Sequence, residues 1–331
     1  MAPRSIGVDV GGTKVSAAVL GPEGLSEPVL TPTDTASQER LLDQLAGVVL
    51  QAADGDENCV VGLGVPAVVE FATGRARHAP NVPLHDVPLR EVLAQRTGLA
   101  VVVDNDATVA ALAEAYDEAF KLVHPDLVML TVGTGVGGGV ILGGRIFRGA
   151  TGAAPELGHI LIGLDLADGA PPAEEHFPQP GSLERLASGR RLDELARRGG
   201  FQDGPGVVAA AERGDAGALD CLRILGERLG IGIASVLHCY EPPLVCIGGG
   251  ASRAGELLLG PARRVVKAWT LPGVGERTEI RVARWGPQAG VRGAALLARQ
   301  ELCDDFTQPP DPSGKDSRPS SPHPREDLSF T

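Results

Sequence analysis

Asp9-Val10-Gly11-Gly12-Thr13-Lys14 sets paired glycines, a hydroxyl and a cation directly after an acidic residue. Paired glycines let a hairpin backbone come close to phosphate oxygens, and successive N–H groups can form an anion-binding concavity. An acid at a strand edge suits a hydrated Mg²⁺ that offsets phosphate charge. The spacing is not that of a Walker loop, and a hairpin rather than a helix follows. By itself the motif fits an ordinary tight turn equally well. A second run, Thr131 to Gly139 (TVGTGVGGG), holds five glycines in the seven positions from Gly133, with Thr134 adding a hydroxyl. It reads as another phosphate cradle, the alternative being a flexible glycine hairpin. Asp104-Asn105-Asp106 closes a short apolar run, the place where open α/β sheets put their ligands. A carboxylate there can accept the proton of a substrate hydroxyl while Asn105 fixes that substrate. Helix capping by Asp104 or Asn105 is the plainer reading and does not exclude catalysis by Asp106.

The elements that must position these groups follow from the apolar pattern. Ile6 to Val10 and Val15 to Leu20 predict a hairpin around the first glycine turn. Leu41, Leu45, Val48 and Val49 recur at helical spacing after the possible caps Thr35 and Ser37. Val60 to Val65 and Ala100 to Val103 are nearly all apolar, as in strands buried on both faces. An alanine-rich helix is expected over 107–120, a strand over 127–132, and a further apolar run over 140–142. The strand, glycine hairpin, strand unit thus recurs after about 120 residues, which suggests two related halves around a cleft. A long helix over 221–238, a strand over 244–247, Gly248-Gly249-Gly250 and a helix over 294–299 complete the folded part. From Asp304 on, six prolines, five serines and few apolar residues predict a disordered tail.

Composition narrows the function classes. The 331 residues carry 42 acidic and 30 basic side chains, a net charge of −12, which argues against general nucleic-acid binding. Hydrophobic residues make up 43%, enough for a globular core. No stretch is long and apolar enough for a membrane span, and Met1 to Arg4 leaves no room for a signal peptide before the first strand. Five scattered cysteines, Cys59, Cys221, Cys239, Cys246 and Cys303, fit reduced thiols in a cytoplasmic enzyme.

Taken in order, these elements resemble the ROK family of bacterial sugar kinases, members of the actin-like ATPase superfamily. Gly64-Val65-Pro66-Ala67 resembles the family's G-x-P-G turn, Ala79-Pro80-Asn81 its A-P-N segment, and Pro88-Leu89 with Leu93 falls where the following helix should begin. Gly152 to His159 (GAAPELGH) resembles G-x-A-G-E-x-G-H, and Gly181 to Gly189 (GSLERLASG) resembles G-C-L-E-x-x-x-S-G. Ile247 to Ser252 (IGGGAS) resembles the late glycine turn near the adenosine. The resemblance implies an α/β, two-lobed actin-like ATPase (ribonuclease H-like) fold with a cleft between the lobes. It divides the chain into a small α/β lobe over 1–106, a large α/β lobe over 107–290, a helix over 291–303 returning to the small lobe, and the tail 304–331.

The same resemblance assigns roles. Asp106 would be the base that activates a sugar hydroxyl, with Asn81, Asn105, Glu156, His159 and Glu184 binding the other hydroxyls. Asp9, Gly11, Gly12, Thr13 and Lys14 would form the first phosphate loop, and Gly133, Thr134, Gly135, Gly137 and Gly138 the second. Gly249 and Gly250 would line the adenosine side, and Asp9 would hold Mg²⁺ through water. ATP and Mg²⁺ are the implied cofactors, with a hexose phosphorylated at its 6-hydroxyl as substrate and a homodimer or homotetramer as the assembly. An amino sugar such as 3-amino-3-deoxyglucose (kanosamine) is the alternative substrate, and a catalytically dead sugar binder is disfavoured by Asp106 and both glycine loops. The family's sugar-responsive repressors carry a helix-turn-helix before the first loop. Here eight residues precede Asp9, which disfavours that reading. The family's structural zinc, held by a histidine and three cysteines, is not expected: Glu175, Phe177 and Ser182 stand at the cysteine positions, leaving His159 alone. Phe177 is expected to fill that space by packing.

Overall fold

The computed structural model describes residues 3–79 and 81–303. Pro80, within the Ala79-Pro80-Asn81 run, and the tail 304–331 lie outside the described residues. β1 (Ser5–Val10) and β2 (Lys14–Gly21) form the expected hairpin, antiparallel from Ser5↔Leu20 to Val10↔Val15. β3 (Gly24–Leu25) and β4 (Val29–Pro32) both pair with β2. Ser37, the better of the two expected caps, opens α1 (Gln38–Ala53) by accepting from Arg40 N at 3.3 Å. β5 (Val60–Val65), buried along its whole length, runs parallel to β1. A small antiparallel sheet follows, β6 (Val68–Glu70), β7 (Arg75–His78) and β8 (His85–Val87), whose short, charged strands carry no readable alternation. After α2 (Leu89–Thr97), β9 (Ala100–Asn105) completes the first large sheet in the order β3-β2-β1-β5-β9.

α3 (Asp106–Glu114) is shorter than the helix expected over 107–120. Beyond Glu114 the chain turns: Asp117 Oδ1 accepts from Lys121 N at 2.9 Å, Phe120 takes a positive φ of 58°, and Tyr116 bridges to Leu122. Glu114, fully buried, accepts from Arg284 N at 2.6 Å and pairs with Arg281 at 3.1 Å, so distant groups fix the helix end. Alanine content sees none of this.

The second large sheet holds β10 (Leu127–Val132), β11 (Val136–Leu142), β12 (Arg145–Ile146), β13 (Leu244–Gly248) and β14 (Glu279–Val282). Its order, β12-β11-β10-β13-β14, matches the first sheet apart from the extra β4: an antiparallel hairpin beside two parallel strands. The internal duplication read from the two glycine hairpins is therefore a duplication of sheet topology. Between β12 and β13 come α4 (Leu183–Ala187), α5 (Gly189–Arg198), α6 (Gly204–Glu212) and the long α7 (Ala216–Tyr240), capped by Asp215. α8 (Glu256–Trp269) precedes β14, and α9 (Ala289–Leu302) follows it.

The last helix of each half crosses to the other. α3 leaves the first sheet and packs on β10 and β11, while α9 leaves the second and packs on β1 and β5. The two helices cross each other between the sheets, in a core that joins Val60 and Val102 to Met129 and Ile141. Separate cores lie outside, one under α1 and α2 and one under α5 to α8. Among the described residues no helix is long and apolar enough to cross a membrane.

Candidate active site

Asp9 near the end of β1 and Asp106 at the start of α3 come together where the parallel strands end. Burial, reinforced by the nearby Asp106 and opposed by Lys14, pushes the Asp9 carboxyl up to about 7. Burial also raises Asp106, against the Ala107 N–H that donates to its Oδ1 at 2.8 Å. Asn105 caps α3 by accepting from Ala107 N at 3.0 Å and Thr108 N at 3.2 Å. Its amide donates to Ala67 O at 3.2 Å, in the turn after β5. Capping and presentation of Asp106 are therefore one arrangement. Gly290 of α9 sits directly against the Asp9 carboxylate, where a Cβ would overlap it.

The first glycine loop is a tight turn closed by Gly11 N donating to Lys14 O at 2.9 Å. Thr33 clamps it from outside, its hydroxyl donating to Gly11 O at 2.7 Å and its N–H to Thr13 O at 3.1 Å. Gly12, Thr13 and Lys14 are exposed. A Cβ on Gly12 would come within 3.3 Å of Asn81 Cβ, so this loop and the expected sugar ligand Asn81 are neighbours. Thr33 was not singled out by sequence reasoning; a threonine after β4 has no local signal.

The second loop needs a correction. Its turn covers only Gly133 to Gly135, closed by Gly133 N donating to Gly135 O at 2.9 Å, with Thr134 exposed. Gly137 and Gly138, expected in the phosphate loop, lie inside β11 opposite Thr131 and Leu130. A Cβ on Gly137 would press on Ala107 at 3.1 Å, and one on Gly138 on Leu157 and Met129 O at 2.9 Å. These glycines admit the helix that carries Asp106 and the turn that carries His159. Gly249, with φ of 79°, packs on the Val132 backbone and leaves Gly250 in open space beside the second loop.

Glu156, His159 and Glu184 gather on the opposite side. His159 Nε2 is 3.9 Å from Glu156 Oε2. Burial raises Glu156; His159 opposes that, while Glu184 and Asp106 add to it, so three carboxylates share one region with Asp9. Glu184 has a partner that sequence reasoning missed: its Oε2 accepts from Val136 N at 2.8 Å, and its carboxylate lies against Gly135. It ties the sugar side to the second loop.

The residues at the zinc positions make other contacts. Ser182 is buried and its hydroxyl caps α4, accepting from Arg185 N at 3.3 Å. Glu175 is exposed. Phe177 stands edge-on to His159, ring centroids 5.4 Å apart at 87°, and His159 Nδ1 is buried with no hydrogen-bond partner among the described residues. Phe177 does not fill that space by packing, as the sequence led us to expect: its ring is 71% exposed, and its edge alone meets His159.

Comparison with known proteins fits this geometry. The model of the ROK family matches residues 5–301. The chain is 36% identical over 313 residues to a glucokinase of Streptomyces coelicolor, covering 89% of this chain and 98% of that protein. It is 35% identical over 303 residues to an N-acetyl-D-glucosamine kinase of Aliivibrio fischeri, covering 88% and 98%. The crystal structure of a ROK family glucokinase from Streptomyces griseus in complex with glucose and AMPPNP superimposes with a TM-score of 0.73 at 32% identity. The match covers 90% of this chain and 99% of that one.

Proposed function

The chain belongs to the ROK family, an ATP-dependent sugar kinase of two-lobed actin-like fold, and from that premise we propose that it phosphorylates the 6-hydroxyl of glucose or a glucose-like hexose. The observation that carries this reading is the position of Asp106, which shares one region with Asp9 beside the first glycine loop and with Glu156 on the hydroxyl-binding side. Carboxylates, amides and a histidine suit a polyol, because each hydroxyl both donates and accepts. Asp106 takes the hydroxyl proton as the sugar oxygen bonds to the γ-phosphorus and the bond to the β-phosphate oxygen breaks. The Gly12, Thr13, Thr134 and Gly135 N–H groups and Lys14 meet the phosphates in turns closed by the Gly11 and Gly133 N–H groups, while Asn81, Asn105, Glu156, His159 and Glu184 orient the ring.

The residues present also fit Mg²⁺. A carboxyl held up by burial and a like charge, as Asp9 is, gains from a cation. Among the described residues no group of three or more His, Cys, Asp or Glu could hold a metal by itself. Asp9 would hold the ion through water, and when bound the ion would offset phosphate charge.

The test is ADP formation from ATP over a panel of glucose, N-acetylglucosamine, mannose and 3-amino-3-deoxyglucose, with the product's phosphate located by NMR. Glucose-dependent turnover giving the 6-phosphate is expected; a panel without sugar-dependent turnover overturns the reading. The amino sugar has one observation in its favour. Glu156 lies near Glu184 and Asp106 with His159 Nε2 3.9 Å away, a surplus of negative charge that an ammonium group would relieve. Preference for the amino sugar over glucose would decide for it.

A further inference from the structure

Arg148 follows β12 of the second sheet, yet its guanidinium lies among groups of the first half and of α9, the helix that packs on it. Nε donates to Asp104 Oδ2 on β9 at 2.8 Å, and Nη2 reaches Glu301 Oε1 on α9 at 3.2 Å. The guanidinium carbon stands 3.4 Å from the centroid of Phe71, in the turn after β6. Asp104 is 2% exposed and Arg148 16%, so this is a buried, forked and stacked contact and not a surface ion pair. From it two chains of bonds lead into the site. Asp104 Oδ1 accepts from Asn105 N at 2.8 Å, directly before Asp106. Arg148 O accepts from Gly152 N at 3.1 Å and Ala154 N at 3.2 Å, which folds the segment leading to Glu156.

We propose that Arg148 is a positioning residue: an interlobe strut that holds the Asp104-Asn105-Asp106 end of β9 and the segment 148–156 in one register, so that the base and the sugar-binding carboxylate face the same ligand. The inference rests on the kinase reading. A displacement of about 1 Å in such a register costs up to about a hundredfold in rate.

The test compares Arg148→Met, which keeps much of the stem without charge, with Arg148→Lys, which keeps charge but loses the fork and the ring stacking. kcat and KM for sugar and for ATP are measured well below each variant's melting temperature, together with Asp104→Asn and the double variant Arg148→Met/Asp104→Asn. We expect kcat/KM for the sugar to fall about tenfold or more in Arg148→Met and partly recover in Arg148→Lys, with KM for ATP little changed. The double variant should lose no more than the worse single one, because both break one contact. A folded Met or Lys variant with normal kcat/KM, or losses that simply add, overturns the proposal. So does a Lys variant that fails to fold, since Arg148 would then serve folding alone. A wild type inactive on every sugar would instead remove the kinase reading, and the same assay separates the two failures.

Discussion

At the residue scale the site is a problem of crowded negative charge. Asp106→Asn keeps the shape of the base but not its chemistry, so kcat should drop about 10²–10⁴-fold with KM for the sugar nearly unchanged. Near-normal turnover would dismiss Asp106 as the base. Asp9 gives a pH signature. Its carboxyl, ordinarily near 3.8, is raised to about 7 in the folded state. Between those values the folded protein keeps a proton that the unfolded chain has released, so stability of the ligand-free protein should fall as pH rises through this window and level off above it. Asp9→Asn should flatten that slope in melting experiments across pH 4–8; an unchanged slope assigns it to other groups. Asp9, Asp106, Glu156 and Glu184 were all legible as candidates from their motifs. The bond from Val136 N to Glu184 was not, because nothing local links residues 48 positions apart.

At the element scale, one glycine-rich run serves two purposes. Gly133 to Gly135 make a turn, whereas Gly137 and Gly139 make room for α3 on β11 and Gly138 makes room for Leu157. A Cβ on Gly139 would lie 2.5 Å from Ala111 Cβ and 3.0 Å from Thr108 Cα. Gly139→Ala should therefore lower unfolding stability by about 1–3 kcal/mol with KM for ATP little changed. Thr134→Ala in the exposed turn should do the reverse. If Gly139→Ala is as stable as wild type by urea titration, the packing account is wrong. Glycine counts flagged this run, but composition cannot separate a turn from a strand that needs close approach. Phe177 was legible as a departure from the zinc motif, and its ring meets His159 edge-on. Phe177→Ala should raise KM for the sugar severalfold by freeing that ring. Purified protein should hold well under one zinc per chain, with a melting temperature indifferent to chelator; stoichiometric tightly held zinc would refute the aromatic substitution.

At the scale of the whole molecule, the repeat of a glycine hairpin predicted two related halves, and the matching strand orders bear this out. Which helix covers which sheet was not legible, because α3 and α9 are small-residue helices apolar on nearly every side. Such a surface suits several neighbours equally, and the choice is made by close-approach glycines such as Gly7 and Gly62 beneath α9. The exchange of the two closing helices also makes the halves depend on each other. Two halves of like strand order, each covered by the other's last helix, cannot complete their cores from their own stretch of chain. A break between Asn105 and Asp106 should then give back two partners and not two domains. The piece 3–105, deprived of α9, should stay unfolded by circular dichroism when expressed alone, and should fold when co-expressed with 106–303.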